Sequence, residues 1–176
     1  MSNSLLKPEL PAPVLLALTT NLADILQKKG WLMATAESCT GGMIAAACTD
    51  LAGSSNWFDR GFVSYSNEAK TDMLGIDAGL IRRHGAVSEE VARAMAQGAV
   101  AHSRAQAAVA VTGVAGPSGG SAEKPVGTVW FAWATPTGLV SEMRRFEGDR
   151  AAVRQATVHH ALQRLLALLA GPPANG

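Results

Sequence analysis

The residues best suited to chemistry are a serine, a lysine and a tyrosine. Ser38 stands in Ala36-Glu-Ser-Cys-Thr-Gly-Gly42, and Tyr65, the only tyrosine of the chain, opens Tyr65-Ser-Asn-Glu-Ala-Lys70. A hydroxyl nucleophile, an amine to deprotonate it and a phenol to join the proton path suffice for amide hydrolysis without histidine or metal. With Asn67 as the cap of a helix, Lys70 falls at the third helical position, where its cation opposes the positive end of the macrodipole. That placement and partial burial both lower a lysine pKa, as a general base near neutrality requires. The ordinary alternative is a solvated lysine, for which the dipole penalty is only about 0.3–1 kcal/mol. Ser38 likewise reads two ways. It caps a helix, or it is a nucleophile beside helix-start N–H groups that hold an oxyanion or a phosphate, with Gly41 and Gly42 admitting substrate to the backbone. Cys39 is a rival nucleophile, but no histidine lies near it in sequence to activate it, so Cys39 and Cys48 read as small core residues.

Hydrophobic periodicity supplies the elements that must position these groups. Val14 to Lys29 carries Leu15, Leu18, Leu22, Ile25 and Leu26 at helical spacing. A short strand is expected over Trp31 to Thr35, then an Ala-rich helix over Thr40 to Leu51, entered through Ser38 or Thr40. Gly61 to Ser66 reads as a strand followed by the helix entered at Asn67. Ser88 to Arg104 opens with Ser-Glu-Glu, a hydroxyl cap with acids in the first turn, and is expected to be helical. Ala107 to Val111 is a strand leading into the Gly/Pro loop Gly113 to Gly120. Gly127 to Ala134 and Gly138 to Phe146 form a hairpin, and Asp149 caps the last helix. Strands separated by helices early and a hairpin late predict an α/β fold: three α/β/α layers, with a mixed sheet covered by helices on both faces. One domain is expected over 14–170, between a flexible N-terminal segment, 1–13, and a flexible tail, 171–176. In such sheets ligands collect at the carboxyl ends of strands. Glu37 to Gly42, Tyr65 to Lys70 and Thr112 to Gly120 all fall there.

Composition narrows the class. The 176 residues are 48% hydrophobic and 16% charged, with 18 glycines and only 5% aromatics, which points to close-packed helices on a sheet. A net charge of +1 makes no electrostatic case for nucleic acid or a membrane surface. Two cysteines in one helical stretch form neither a disulfide framework nor a zinc site, so no metal and no cofactor are expected. No apolar run reaches the length of a membrane span and Met1 to Pro13 is not a signal peptide, so a cytoplasmic protein is expected. Two further patterns fail on context. Gly116-Pro-Ser-Gly-Gly120 matches a nucleophile elbow, but Ser118 is followed by a poor helix start. Ser121-Ala-Glu-Lys124 matches S-x-x-K, but Pro125 keeps Lys124 out of a helix.

Several motifs in series carry a family resemblance. Ala36-Glu-Ser-Cys-Thr-Gly-Gly42, Gly61-Phe-Val-Ser-Tyr-Ser-Asn-Glu-Ala-Lys70, Gly85-Ala-Val-Ser-Glu-Glu-Val91, Thr112-Gly-Val-Ala-Gly-Pro117 and Lys124-Pro-Val-Gly-Thr128 are similar, in order, to the CinA C-terminal domain family. The stand-alone members of that family are nicotinamide-nucleotide amidohydrolases, and the chain resembles them rather than the longer two-domain proteins. The resemblance implies an α/β/α fold and hydrolysis of the carboxamide of nicotinamide mononucleotide to nicotinate mononucleotide and ammonia. Carried onto this chain, it makes Ser38 the nucleophile, Lys70 its base, Tyr65 an aid to proton transfer and Thr112 a further hydroxyl of the site. Backbone N–H groups of Cys39, Thr40, Gly41 and Gly42 would hold the oxyanion, with Asn67 beside them. Gly113 and Gly116 of the glycine loop, with Arg150, would receive the rest of the nucleotide and its phosphate. The family also implies a homo-oligomer, a dimer being favoured. The alternatives are a catalytically silent nucleotide-binding or regulatory module of the same fold, and an amidase for a related substrate.

Overall fold

The computed structural model describes residues 12–171. Expectations for residues 1–11 and 172–176 lie outside these described residues. The elements run α1 (Ala12–Lys29), β1 (Met33–Glu37), α2 (Met43–Thr49), β2 (Phe58–Val63), α3 (Asn67–Leu74), α4 (Ala78–His84), α5 (Glu89–Ala101), β3 (Ala107–Gly113), β4 (Thr128–Thr135), β5 (Gly138–Arg145) and α6 (Arg150–Ala170). The five strands form one sheet in the order β2-β1-β3-β4-β5. β1 is parallel to both β2 and β3, while β4 and β5 close the sheet as an antiparallel hairpin. The mixed sheet and the late hairpin match the expectation from sequence.

The alternation of side chains along the strands divides the core in two. Met33, Val109, Val111, Phe131 and Trp133 face α1, α2 and α6. Ala34, Ala36, Ala108, Ala110, Ala132 and Ala134 face the opposite layer, which holds α5 with Leu74 of α3 and Ile81 of α4. The methyl-sized face lets α5 settle close to the sheet, the packing that abundant small residues and few aromatics anticipate. The approach of α3 to α5 is closer still. A Cβ on Gly98 would lie 2.3 Å from the Leu74 carbonyl oxygen.

Several boundaries differ from the sequence expectation, β2 covering Phe58–Val63 rather than Gly61 to Ser66 among them, and three others bear on the site. Strand β1 starts later than expected and extends to Glu37, so this acid is the last strand residue and is completely buried. Helix α2 starts at Met43, not at Thr40, because Gly41 and Gly42 take positive φ values of 60° and 102° and break the helical path. Ser38 is therefore not the cap of α2. The cap of α3 is Ser66 rather than Asn67: its Oγ accepts from the Ala69 amide at 3.0 Å from an extended backbone. The short helix α4, capped by Asp77, was not foreseen. Ser88 and Asp149 cap α5 and α6 as expected. Among the described residues no helix is long and apolar enough to cross a membrane.

Candidate active site

Because β1, β2 and β3 are parallel, their carboxyl ends share one edge of the sheet. The chain leaving β1 turns at once: the Ser38 amide is held by the Val111 carbonyl at 3.1 Å, and the Gly41 amide returns to the Ser38 carbonyl at 3.1 Å. This tight turn presents Ser38 rather than passing it into a helix. The end of β2 brings Ser64 and Tyr65 alongside, and the first turn of α3 aims Lys70 back at them. Ser38, Cys39, Tyr65, Lys70, Ala86, Val87, Thr112, Gly113, Ala115 and Arg150 line one cavity of about 240 Å³.

Lys70 is 1% exposed and its Nζ has three acceptors, all at 3.0 Å: Ser38 Oγ, the Ser64 carbonyl and the Tyr65 carbonyl. An ammonium has three protons to place, and each has a partner here. Loss of one proton leaves two N–H groups on the two carbonyls and turns the lone pair toward Ser38. The Ser38 hydroxyl also lies 3.4 Å from the Tyr65 carbonyl, to which it donates. Desolvation lowers the Lys70 pKa from 10.5 to about 8, with the Cys39 thiol acting in the opposite sense. Burial, one of the two causes argued from the sequence, supplies this shift, and Lys70 is the fourth residue of α3, not the third.

The other residues expected at the site divide into those that meet and those that do not. Thr112, 1% exposed at the end of β3, donates its hydroxyl proton to the Ala86 carbonyl at 2.8 Å and so offers the cavity its lone pairs. The Tyr65 ring is 60% exposed, and among the described residues it is the Tyr65 carbonyl, not the phenol, that bonds to Lys70 and Ser38. Gly113 allows no Cβ, which would fall 2.7 Å from Val129 Cγ2 and 2.8 Å from the Thr128 carbonyl oxygen. Arg150 joins the cavity from α6 and donates to the Gly116 carbonyl at 3.0 Å. Thr40, Gly41 and Gly42 shape the turn without lining the cavity, and Asn67 opens onto a different hollow beside α4. Lys124 donates to the His84 carbonyl and closes α4. Ser118 sits on an exposed loop.

Two residues near the site escaped sequence reasoning. Glu37 accepts four hydrogen bonds: Thr40 Oγ1 at 2.6 Å, the Ile44 amide at 2.8 Å, the Ala45 amide at 2.9 Å and Thr35 Oγ1 at 3.3 Å. It therefore caps α2 by taking the Ile44 and Ala45 amides at the helix start. Among the described residues the Cys39, Thr40 and Gly42 amides donate to no other residue's carbonyl, and of these three residues Cys39 is the one that lines the cavity. Arg154 reaches from α6 to the Cys39 carbonyl and the Thr40 carbonyl, each at 3.1 Å. A lone acid closing an apolar strand just before a glycine turn was the available sign for Glu37. No local sign marked Arg154.

Cys39 is displaced as a nucleophile by its surroundings. Burial pushes its thiol up to about 12, so it stays protonated at neutral pH. Cys39→Ala is expected to keep any turnover that Ser38 supports within about tenfold of the parent, and thiol alkylation of the parent to be slow. A complete loss of turnover in Cys39→Ala would return the sulfur to the mechanism.

Comparison with known proteins places this chain among close relatives. The family model described as CinA C-terminal domain matches residues 16–169. The nicotinamide-nucleotide amidohydrolase PncC of Escherichia coli strain K12 is 52% identical over 152 residues, 86% of this chain and 92% of that protein. The protein of the same name from Pseudomonas putida is 54% identical over 151 residues, 86% of this chain and 94% of its own length. The crystal structure of competence/damage inducible protein CihA from Agrobacterium tumefaciens superposes with a TM-score of 0.85 at 45% identity, covering 96% of this chain and 99% of that one.

Proposed function

The chain belongs to the CinA C-terminal domain family, and from that premise we propose that it hydrolyses the carboxamide of nicotinamide mononucleotide through a serine nucleophile and a lysine base. The observation that carries the mechanism is the 3.0 Å approach of Lys70 Nζ to Ser38 Oγ, with the remaining ammonium protons committed to two backbone carbonyls. The activity itself rests on near-full-length relatives named nicotinamide-nucleotide amidohydrolase.

The steps follow from that geometry. Neutral Lys70 takes the Ser38 proton as Oγ bonds to the carboxamide carbon, and the carbonyl oxygen becomes an oxyanion facing the Cys39 amide. The C–N bond breaks as Lys70 returns the proton to nitrogen, which leaves as ammonia. Water then gives a proton to Lys70 and attacks the acyl-enzyme. The carbon–Oγ bond breaks, the proton returns to Ser38 and nicotinate mononucleotide departs. Thr112, with its own proton on Ala86, accepts from the carboxamide NH₂, a donor that the carboxylate product lacks. Arg150 stands where the cavity opens into a groove along Pro117 and Gly148 and takes the phosphate there. The proposal extends to one amidohydrolase domain over 14–170, acting in pyridine nucleotide salvage in the cytoplasm and needing no cofactor. It also includes a homo-oligomer, a dimer in the simplest case, for which exposed Val63 and Tyr65 beside the cavity offer surface.

The test is ammonia release from nicotinamide mononucleotide as a function of pH. Since the neutral amine is the active form, kcat/KM is expected to rise with pH, inflect near 8 and level off above it. At pH 7 about one lysine in ten is then in the active form. Binding of the nucleotide with no ammonia at any pH would replace this reading with the silent binding module. Turnover of other pyridine amides in its place would move it to a related amidase.

A further inference from the structure

The turn that carries Ser38 is gripped from two sides by residues of opposite charge. Beneath it, the completely buried Glu37 carboxylate takes Thr40 Oγ1 from the turn and the Ile44 and Ala45 amides from α2. Above it, Arg154 forks its Nε and Nη2 onto two successive carbonyls, Cys39 and Thr40, across more than a hundred residues of sequence. A planar guanidinium is the group that binds two acceptors in a fixed fork, whereas an ammonium bonds as a point charge. We propose that Glu37 and Arg154 are positioning residues for the nucleophile: together they set the peptide planes of the Ser38–Gly42 turn so that the Cys39 amide faces the developing oxyanion.

The peptide geometry gives the reason. In a trans peptide the C=O and the following N–H point to opposite sides. The Ser38 carbonyl is bound by the Gly41 amide, which turns the Cys39 N–H away from the body of the turn. The Cys39 carbonyl is bound by Arg154, which turns the Thr40 N–H away from α6. Gly41 and Gly42, with positive φ, lower the cost of alternative planes, so the turn needs an external clamp. Glu37 meanwhile withdraws two α2 amides from competition and anchors the far side of the turn through Thr40. One helical turn before Arg154, Arg150 binds the Gly116 carbonyl. The first turns of α6 thereby tie the nucleophile turn and the glycine loop to one rigid element.

The inference rests on Ser38 as the nucleophile, and the experiment separates the two. Arg154→Ala, Arg154→Lys and Glu37→Gln are compared with the parent for kcat, KM, pH profile and melting temperature, with nicotinamide mononucleotide as substrate. Arg154→Ala is expected to lose about 10²-fold in kcat, with KM shifted less than about threefold and the inflection near 8 retained, because the base is untouched. Arg154→Lys is expected to recover little, and guanidinium ion at tens of millimolar to restore part of the Arg154→Ala rate. Glu37→Gln is expected to lose more than about tenfold in kcat with the same inflection. If Glu37→Gln does not fold, the Arg154 pair alone decides. A raised KM with unchanged kcat in Arg154→Ala would make Arg154 a substrate-binding residue and overturn the proposal. So would a lowered melting temperature with unchanged kcat. A parent-like Arg154→Ala beside an inactive Ser38→Ala would sink the clamp alone, whereas an active Ser38→Ala would sink the nucleophile reading itself.

Discussion

Ser38→Ala is expected to abolish ammonia release, lowering kcat by about 10⁴–10⁶-fold while the protein still folds and still binds nicotinamide mononucleotide. Ser38 is nearly buried, and among the described residues its hydroxyl has the Lys70 ammonium and the Tyr65 carbonyl as partners. Its loss costs the fold little, since Lys70 keeps both carbonyls and the turn keeps its backbone bonds to Val111 and Gly41. The chemistry suffers far more, because no second nucleophile stands in reserve. Cys39 is buried, holds its proton at neutral pH and, like Ser38, lines the cavity. An acyl adduct on the parent, trapped by acid quench and found by mass spectrometry on the peptide holding Ser38, is the second readout. Turnover by Ser38→Ala at more than about a tenth of the parent rate would eliminate the acyl-serine route.

Lys70→Met is the second large effect. Replacing the amine with an apolar chain of similar length removes the base while filling its space. kcat is expected to drop by about 10²–10⁴-fold, and the inflection near pH 8 to vanish. The same variant tests the physical cause of the lowered pKa. In the unfolded chain lysine holds its proton up to about 10.5, but in the folded protein Lys70 gives it up near 8. Between these values the unfolded state binds more protons, so folding becomes more favourable as pH rises. The stability of the parent relative to Lys70→Met should therefore climb from about pH 8 to about 10.5 and be flat below 8. A difference that does not change across that window would mean that the ammonium is not desolvated in the folded state. A surviving inflection near 8 in the variant would assign it to another group.

How much of this was legible from the residues varies with the range of the interaction involved. Periodicity and turn chemistry are local, and they were sufficient for the order of strands and of every helix but the short α4, the late hairpin, the caps at Ser88 and Asp149 and the mixed sheet. The rule that ligands gather at strand ends then brought Ser38, Tyr65, Lys70 and Thr112 to one edge. The boundaries that failed also failed for local reasons. Gly41 and Gly42 look like an inviting helix start, yet their positive φ stops the helix short of Ser38. Ser66 and Asn67 compete for one capping position, and the extended backbone at Ser66 wins it.

What the string of residues could not contain is the set of contacts made across the fold. The sequence offered helix position and partial burial as causes of a low Lys70 pKa, but burial against Ser64, Tyr65 and Ser38 exists only with β2 and α3 folded onto β1. Tyr65, the residue that first marked the site by its rarity, contributes its carbonyl to Lys70 while its ring stays exposed. Glu37 becomes intelligible once α2 docks its amides on the buried carboxylate, and Arg154 once α6 crosses over the nucleophile turn. Residue types and spacing carry the reagents of the reaction, because reactivity belongs to functional groups. Their protonation, aim and restraint come from desolvation and long-range hydrogen bonds, which exist only in the packed chain.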